Sequence, residues 1–298
     1  MTQYDLWQHT VSKPAVCSGV GVHSGAFARV VVKPAAANSG IVFVRTDVTD
    51  RDNRIAALCG SVSRTQLNTE ISNSSGVAVS TIEHLMAALC ALGVDNALIE
   101  IDGPECPIMD GSAAPFVDLL DRAGRRPQEA AREFIEILKT VEVGGEGKAA
   151  SLAPADGFEV DFEIRYDSPV IGRQRVALEV DAASFRRELS EARTFGFMHE
   201  VEQLRALGLA RGGSLDNVVV IQNDEILNPG GLRMEREFVR HKALDAVGDL
   251  YTLGRPLLGR FTTVCGGHAL NNVLCRALMR DPSAFRLRTL VAEMAEAG

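Results

Sequence analysis

The chain has 298 residues, of which 46% are hydrophobic and 23% are charged, a composition typical of an ordinary globular protein. Its formal net charge of -8 argues against nonspecific nucleic-acid binding, and no apolar run approaches the roughly 18 residues that a membrane span needs. The N-terminus lacks the basic start and apolar core of a signal peptide, so we expect a cytoplasmic protein. The six cysteines include no C-x-x-C pair, which excludes a zinc ribbon.

The first half of the chain contains β-branched runs followed by segments with helical spacing. Its predicted elements are strands at 28–33, 40–47 and about 56–62, a helix at 80–92, a strand at 94–101 and a helix at 112–122. The first two strands flank a polar turn with a glycine, which predicts a hairpin. Ser80 is the expected N-cap of the first helix, with Glu83 three residues on and Gly93 as the stop.

The second half begins with a polar, proline-containing stretch at 122–132 that is typical of a linker or of a frayed helix end. The elements predicted after it are strands at 134–143, 149–153, 158–166 and 175–181, a helix at 182–193, an irregular piece at 194–214 with a short helix at 201–207, a strand at 218–222, a helix at 235–251, a strand at 259–265, a helix at 268–279 and a last helix toward the C-terminus. Both halves run several strands and then helix, strand, helix. We therefore predict an α+β fold of two similar domains, 1–128 and 129–298.

The segment 235–251, E-R-E-F-V-R-H-K-A-L-D-A-V-G-D-L-Y, contains a candidate metal site. On a helix His241 and Asp245 lie one turn apart and point the same way, and a nitrogen-plus-oxygen donor set suits zinc. The alternative is a solvated helix face with a side-chain hydrogen bond, and this fragment alone favours that alternative.

Four segments could converge on one site. They are the pair Glu83-His84, the pair His241 and Asp245, His268 after a glycine pair, and Thr194. Two histidines and one aspartate leave a fourth zinc position for water, whose pKa zinc lowers from about 15.7 to about 7. Glu83 could take the proton of that water, which predicts hydrolysis. His268 lies at a predicted helix N-terminus, so a charged imidazolium there needs a carboxylate such as Asp249.

Each of these residues also has an ordinary structural alternative. Glu83 could be only the capping-box partner of Ser80, and His84 could be a hydrogen-bonded histidine on a half-buried helix. Lys242 could be a solvated lysine, although its place on the ligand-bearing face would also let it hold a substrate group. Thr194 is unremarkable by itself.

Five motifs considered together identify a family. They are T-I-E-H-L at 81–85, I-M-D-G-S-A-A-P-F at 108–116, R-T-F-G-F at 193–197, F-V-R-H-K-A-L-D-A-V-G-D-L at 238–250 and G-H-A-L-N-N at 267–272. In this order they resemble the UDP-3-O-acyl-N-acetylglucosamine deacetylases, the zinc amidases of lipid A biosynthesis. The resemblance covers the chain nearly end to end.

The resemblance implies a role for each candidate residue. Zn²⁺ would be held by His84, His241 and Asp245; Glu83 would be the general base; His268 would be the general acid or positive electrostatic partner, oriented by Asp249; Thr194 would hydrogen-bond the developing oxyanion; and Lys242 would contact substrate.

The resemblance also implies a fold of two β-α-α-β layered domains packed face to face. The second would carry an insert, here 194–214, that forms a passage for a fatty-acyl chain. The apolar side chains that the insert offers are Phe195, Phe197, Met198, Val201, Leu204, Leu207 and Leu209. Because each buried methylene contributes about 0.8 kcal/mol, such a passage can supply much of the binding energy.

The reaction implied by the resemblance is removal of acetate from a UDP-3-O-acyl-N-acetylglucosamine, the committed step of lipid A biosynthesis. We expect a monomer with neither a nucleic-acid partner nor a transmembrane segment. A zinc peptidase is the rival enzyme, but its H-E-x-x-H motif is absent from the sequence. A non-catalytic binding protein for an acylated nucleotide sugar is the rival of another class, and it would hold a structural metal with four protein ligands.

Overall fold

The computed structural model of the chain describes residues 5–145 and 147–290. Within these ranges the helices are α1 Glu83–Ala91, α2 Ala114–Ala123, α3 Ala182–Glu188, α4 Met198–Ala206, α5 Glu237–Tyr251 and α6 His268–Arg280, with one 3₁₀ helix at Cys59–Ser61. None of the helices in the described ranges has the length and apolar content of a bilayer-crossing segment.

Strands from the beginning to the end of the described chain build five sheets. The strands are β1 Trp7–Val11, β2 Ala15–Val20, β3 Phe27–Pro34, β4 Ile41–Arg45, β5 Arg54–Ala56, β6 Val62–Arg64, β7 Glu70–Ser72, β8 Ala78–Val79, β9 Ala97–Ile101, β10 Arg125–Ala131, β11 Glu133–Ile137, β12 Val141–Gly145, β13 Lys148–Ala153, β14 Phe158–Arg165, β15 Arg173–Glu179, β16 Phe195–Phe197, β17 Val219–Gln222, β18 Glu225–Ile226, β19 Leu257–Val264 and β20 Phe285–Thr289.

The two largest sheets come from different halves of the chain. A five-stranded sheet has the order β2-β3-β9-β4-β5, and a seven-stranded sheet has the order β12-β13-β19-β11-β20, with β14 pairing β19 and β15. The smaller sheets are β1-β10, β6-β7-β8 and β16-β17-β18. Mixed sheets packed with helices make an α+β fold, which confirms the predicted class.

Helix α5 is buried on nearly every face. All of its residues except Arg240 and Lys242 are buried, so it belongs to the interior and not to the surface. Its apolar residues pack in a core that includes residues of both large sheets. Its other polar residues are buried with them, and each therefore needs a partner, because an unpaired buried charge costs several kcal/mol.

Helices α1 and α5 approach each other backbone to backbone. A Cβ added at Gly248 of α5 would lie only 2.0 Å from the carbonyl oxygen of Glu83 in α1. Only a glycine permits this approach, so the sequence of α5 decides how closely α1 can pack against it.

The predicted early hairpin is wrong. Strands β3 and β4 do not pair with each other, because β9 lies between them, antiparallel to β3 and parallel to β4. The inward residues Ala97, Ile99 and Ile101 of β9 are fully buried, as expected of a central strand. A turn signal shows that the chain reverses, but it does not show which strand becomes the neighbour.

The linker or frayed helix end predicted at 122–132 is wrong for most of its length, since only residues 122 and 123 belong to the end of α2. Its residues 125–131 form β10, which pairs antiparallel with β1 near the N-terminus. The side chains of β10 are mostly exposed or half-buried, so the strand depends on main-chain pairing and shows no apolar alternation. The predicted domain boundary between residues 128 and 129 falls within this strand.

Several predicted elements have different bounds or a different type. Helix α1 begins at Glu83 with no side-chain cap, and the Ser80 hydroxyl donates to the Pro104 carbonyl at 3.3 Å, so the predicted capping box is wrong. The strand expected at 56–62 is replaced by the end of β5 and the 3₁₀ helix, and the one expected at 134–143 is divided into β11 and β12. After α6 the chain forms β20, which the sequence analysis did not predict, and the last helix predicted toward the C-terminus falls on residues 291–298, which lie outside the described residues.

Candidate active site

Three buried side chains from α1 and α5 converge at the contact between these helices. His84 lies in the first turn of α1, and His241 and Asp245 lie one turn apart in α5; each is 3% exposed. The Nε2 atoms of His84 and His241 are each 3.4 Å from Asp245 Oδ1. One donor atom from each residue lies within 4.8 Å of the others, which makes a possible metal site.

The orientation of His241 leaves one ring nitrogen free for this site. Its Nδ1 lies 3.0 Å from the carbonyl oxygen of Ala192, and because a carbonyl can only accept, Nδ1 carries the proton. A backbone carbonyl of this kind commonly orients a metal-binding histidine. Burial lowers the pKa of His241 to about 4, against the opposing effect of Asp245. The ring is therefore neutral at pH 7, as a metal ligand must be.

The geometry at Asp245 fits a cation better than it fits hydrogen bonds. Asp245 Oδ1 is buried and has no hydrogen-bond partner in residues 5–145 and 147–290. Its 3.4 Å separations from the two histidines exceed the usual N–H···O range of about 2.7–3.2 Å. They match the distance of about 3.3–3.4 Å between ligands of a tetrahedral zinc with bonds of about 2.0–2.1 Å.

The other oxygen of Asp245 is bonded to a lysine. Lys242 Nζ donates to Asp245 Oδ2 at 3.1 Å, which leaves Oδ1 directed toward the histidines. Burial by itself would raise the pKa of the Asp245 carboxyl, but His241 and Lys242 hold that pKa well below its usual range. The three predicted metal ligands thus lie together, and His241 is neutral and Asp245 ionised at pH 7, as metal binding needs.

Glu83 faces this site and not the helix terminus. Its Oε2 accepts the main-chain N–H of Thr69 at 3.1 Å, and its Oε1 lies 4.0 Å from His268 Nε2. Burial raises the pKa of Glu83 above its usual value, while His268 and His84 oppose the shift. A buried carboxyl with a raised pKa is a better proton acceptor when ionised than a solvated one, which suits a general base.

His268 begins α6 and pairs with the carboxylate of Asp249 on α5. Its Nδ1 donates to Asp249 Oδ2 at 2.8 Å, and Asn271 Nδ2 donates to the same oxygen at 2.9 Å. Burial would lower the pKa of His268, but Asp249 and the nearby carboxylates raise it to about 9. The imidazole is therefore protonated at neutral pH, which is the state that a general acid needs.

Thr194 is held by main-chain hydrogen bonds to two other segments of the chain. Its N–H donates to the Gly111 carbonyl at 2.8 Å, and its own carbonyl accepts from Val219 N at 2.8 Å. The preceding Arg193 forms a buried ion pair with Glu237, with Nε donating to Oε1 at 2.7 Å. These contacts fix the segment that carries Thr194, immediately before β16, against the N-terminus of α5.

An apolar cavity of about 900 Å³ opens from this site. The predicted residues on its wall are Glu83, His84, Thr194, Phe195, Phe197, Met198, Val201, Leu204, His241, Lys242, Asp245 and His268. Asp249 is not on the wall, because it lies behind His268. Leu207 is also absent from it: the residue follows the last turn of α4 and is 77% exposed, so its placement in the passage was wrong. Leu209 lines a neighbouring cavity of about 360 Å³.

Comparison with known proteins places the chain in a family. The family model described as UDP-3-O-acyl N-acetylglycosamine deacetylase, LpxC, matches residues 8–280. The chain belongs to this family. The match includes every residue of the candidate site and confirms the family that the five motifs predicted.

Relatives in this deacetylase family are similar over almost their whole length. A protein named UDP-3-O-acyl-N-acetylglucosamine deacetylase from Phenylobacterium zucineum (strain HLK1) is 62% identical over 292 residues, which is 98% of this chain and 100% of the relative. Proteins of the same name from Myxococcus xanthus (strain DK1622) and Shewanella frigidimarina (strain NCIMB 400) are 50% and 48% identical, covering 94% and 95% of this chain and 88% and 92% of theirs.

Some residues that shape the site of this LpxC family member were not found from the sequence. Thr69 contacts Glu83, Asp249 and His268, but it lies in a loop whose local sequence has no motif. Glu105 is buried and accepts the N–H groups of His23 and Ser24 at 2.8 and 2.7 Å and the Thr81 hydroxyl at 3.1 Å. The buried Glu237 carried a weak signal, since a carboxylate at the start of an apolar helix needs a partner. Lys148, Tyr166 and Cys265 also line the cavity.

Proposed function

We propose that this chain is a zinc-dependent amide hydrolase that removes acetate from a UDP-3-O-acyl-N-acetylglucosamine. The observation that carries the proposal is the unpartnered Asp245 Oδ1 between two histidine nitrogens, next to a buried Glu83 whose Oε1 lies 4.0 Å from His268 Nε2. The names of the relatives support the same substrate.

The proposed metal ligands are His84, His241 and Asp245. When bound there, zinc supplies an acidified water and polarises the carbonyl of the substrate amide. Two nitrogens and one oxygen leave a fourth position open, which distinguishes a catalytic site from a structural one. This favours the hydrolase over a binding protein with a structural metal.

Glu83 acts as the general base in this proposal. Its Oε2 is taken by the Thr69 N–H, so Oε1 is the oxygen available to accept the proton of the attacking water. The amide carbon becomes tetrahedral as its C=O bond becomes a C–O⁻ bond, and the hydroxyl of Thr194 donates to that oxyanion. Preorganised donors of this kind are typically worth about 10²–10³ in rate.

His268 then acts as the general acid. An amide nitrogen leaves poorly unless it is protonated, and His268 holds a proton at Nε2 while Asp249 holds Nδ1. Its proton goes to the departing nitrogen as the C–N bond breaks, which yields acetate and the free amino sugar. Lys242, at the rim of the ligand set, contacts the substrate.

We propose that the fatty-acyl chain occupies the 900 Å³ cavity. Phe195, Phe197, Met198 and Leu204 supply apolar wall there, and each buried methylene contributes about 0.8 kcal/mol. We also propose the domain division 1–128 and 129–298, supported by the origin of the five-stranded sheet in residues 15–101 and of the seven-stranded sheet in 133–289. A role in lipid A biosynthesis, a cytoplasmic location and a monomeric state remain predictions.

The test compares acetate release with metal content. Wild type incubated with an acylated UDP-N-acetylglucosamine should release acetate, a chelator should stop the release, and added zinc should restore it. Glu83→Ala should keep its zinc while the rate falls by about 10²–10⁴. Substitution of the exposed Glu129 by Ala is the matched control and should leave the rate unchanged. A wild type that binds zinc but releases no acetate would exclude the hydrolase.

A further inference from the structure

Each hydrogen-bonding group of Thr69 contacts a residue in, or at the start of, one of the three helices that build the candidate site. The residue lies between β6 and β7 and is 3% exposed. Its N–H donates to Glu83 Oε2 at 3.1 Å, and its carbonyl accepts from Ile82 N at 3.3 Å, both at the start of α1. Its hydroxyl donates to Asp249 Oδ1 on α5 at 2.6 Å and lies 3.3 Å from His268 Nδ1 on α6. One residue thus contacts both proposed proton-transfer groups.

We propose that Thr69 is a positioning residue that aims the general base and the general acid at the same reacting group. The inference rests on the proposed function, because it assigns Thr69 no chemistry of its own. Thr69 touches neither substrate nor the metal ligands in this scheme. It acts through Glu83 on one side and through Asp249 and His268 on the other.

The contact with Glu83 decides which carboxylate oxygen faces the reaction. A carboxylate on a flexible side chain can rotate and exchange its two oxygens. The Thr69 N–H holds Oε2, so Oε1 is left toward His268 Nε2, at 4.0 Å. Because the donor is main chain, a side-chain substitution at Thr69 leaves this contact in place.

The contact with Asp249 decides the orientation of His268. The hydroxyl has one hydrogen, and Asp249 Oδ1 at 2.6 Å is the acceptor that takes it. Asp249 Oδ2 is then free to accept from His268 Nδ1 at 2.8 Å and from Asn271 Nδ2 at 2.9 Å. The lone pairs of the hydroxyl face the same Nδ1–H. Two acceptor oxygens, Asp249 Oδ2 and the Thr69 hydroxyl oxygen, therefore lie next to His268 Nδ1. The other ring nitrogen of His268, Nε2, is the one directed into the cavity.

The side chain of Thr69 can be separated from its backbone by substitution. Thr69→Val is nearly isosteric and removes only the hydroxyl, so Asp249 Oδ1 loses its donor while the N–H contact with Glu83 remains. We expect kcat to fall by about ten- to a hundredfold, part of the 10²–10⁴ that general acid–base catalysis contributes. KM and zinc content should change less than about twofold, since substrate and metal contacts are untouched.

Thr69→Ser restores the hydroxyl and should return kcat to within about threefold of wild type. Thr69→Ala is a second hydroxyl-free variant in case valine disturbs packing or folding. The matched control is Thr10→Val, because Thr10 is also fully buried and its hydroxyl accepts the Ala35 N–H at 2.9 Å. That variant should melt at a lower temperature but keep the wild-type kcat.

A double mutant separates positioning from a general structural role. If the Thr69 hydroxyl acts through Asp249, Thr69→Val should lower kcat by less than about threefold in an Asp249→Ala background, because the group it orients is gone. The inference would be overturned if Thr69→Val lowered kcat by the same factor in the Asp249→Ala background as in wild type. It would also be overturned if the single variant Thr69→Val had the kcat of wild type. Absence of acetate release by wild type and by Thr10→Val would instead refute the proposed function.

Discussion

The close approach of α1 and α5 leads to a sharp prediction for Gly248→Ala. The new Cβ would lie 2.0 Å from the Glu83 carbonyl oxygen, 2.8 Å from the Glu83 carbonyl carbon and 3.0 Å from Ala87 N. These are backbone atoms, which cannot rotate away as the end of a side chain can. The two helices must therefore separate by about 1 Å or more to reach ordinary contact distances.

The change in stability combines two opposing effects. Overpacking of this kind typically costs about 1–3 kcal/mol, and here it acts on main chain, so the upper end applies. Alanine is favoured over glycine inside a helix by about 1 kcal/mol. We expect a net loss of about 2 kcal/mol, which lowers the melting temperature by about 4–8 °C.

The change in activity should be larger than the change in stability suggests. His84 follows Glu83 in α1, whereas His241 and Asp245 belong to α5, so separating the helices would move the proposed zinc ligands apart. A displacement of about 1 Å can cost about 10² in rate. Zinc affinity should fall as well, because the ligand distances from Asp245 Oδ1 would no longer fit the ion.

The measurements are the melting temperature, the zinc dissociation constant and kcat/KM for the acylated UDP-sugar. Gly60→Ala is the control, since no atom lies within 4 Å of a Cβ added at Gly60. The reasoning is refuted if Gly248→Ala melts like wild type and binds zinc with unchanged affinity. Loss of stability with unchanged zinc affinity would show that α1 moves without disturbing His84.

Three further predictions concern buried or paired carboxylates. Arg193→Ala leaves the fully buried Glu237 without its guanidinium partner, so the free energy of unfolding in urea should fall by about 3–5 kcal/mol; a loss below about 1 kcal/mol would contradict this. Hydrogen bonds from two arginines lower the pKa of Glu163 from 4.5 to about 2, so its contribution to stability is present above pH 4.5 and is lost toward pH 2. The melting difference between wild type and Glu163→Gln should shrink over that range, and a constant difference would speak against it. Glu105→Gln replaces a carboxylate oxygen, which accepts a main-chain N–H group of the His23 loop, with an amide NH₂ group, which can only donate. The free energy of unfolding should fall by about 1–3 kcal/mol, and an unchanged melting temperature would contradict this.

Local sequence patterns predicted the structure correctly where an element depends only on its own residues. The spacing of His241 and Asp245 predicted one helix face, and both side chains point to the same site in α5. The G-G-H motif predicted that His268 begins a helix, and α6 begins at that residue. The stop signal at Gly93 also matched the end of α1, where this glycine has a positive φ of 65°.

Local sequence patterns gave wrong predictions where an element depends on partners that lie far away in the chain. The segment 125–131 has no apolar alternation, and it becomes a strand only because β1 supplies its main-chain partners. Ser80 and Glu83 have capping-box spacing, yet Glu83 is held by Thr69 and Ser80 by Pro104. A serine and a glutamate three residues apart carry the same signal whether or not a distant group competes for either of them.

The sequence by itself determined the fold class, the family and the chemical type of each donor at the site. Those properties depend on residue identity and on spacing along one element. The tertiary structure decided how these residues are arranged. It set the 3.4 Å distance from each histidine to Asp245, it left Leu207 outside the cavity, and it brought Thr69 into contact with Glu83, Asp249 and His268. Those properties arise from packing between segments far apart in the chain, above all the approach of α1 and α5 that Gly248 permits.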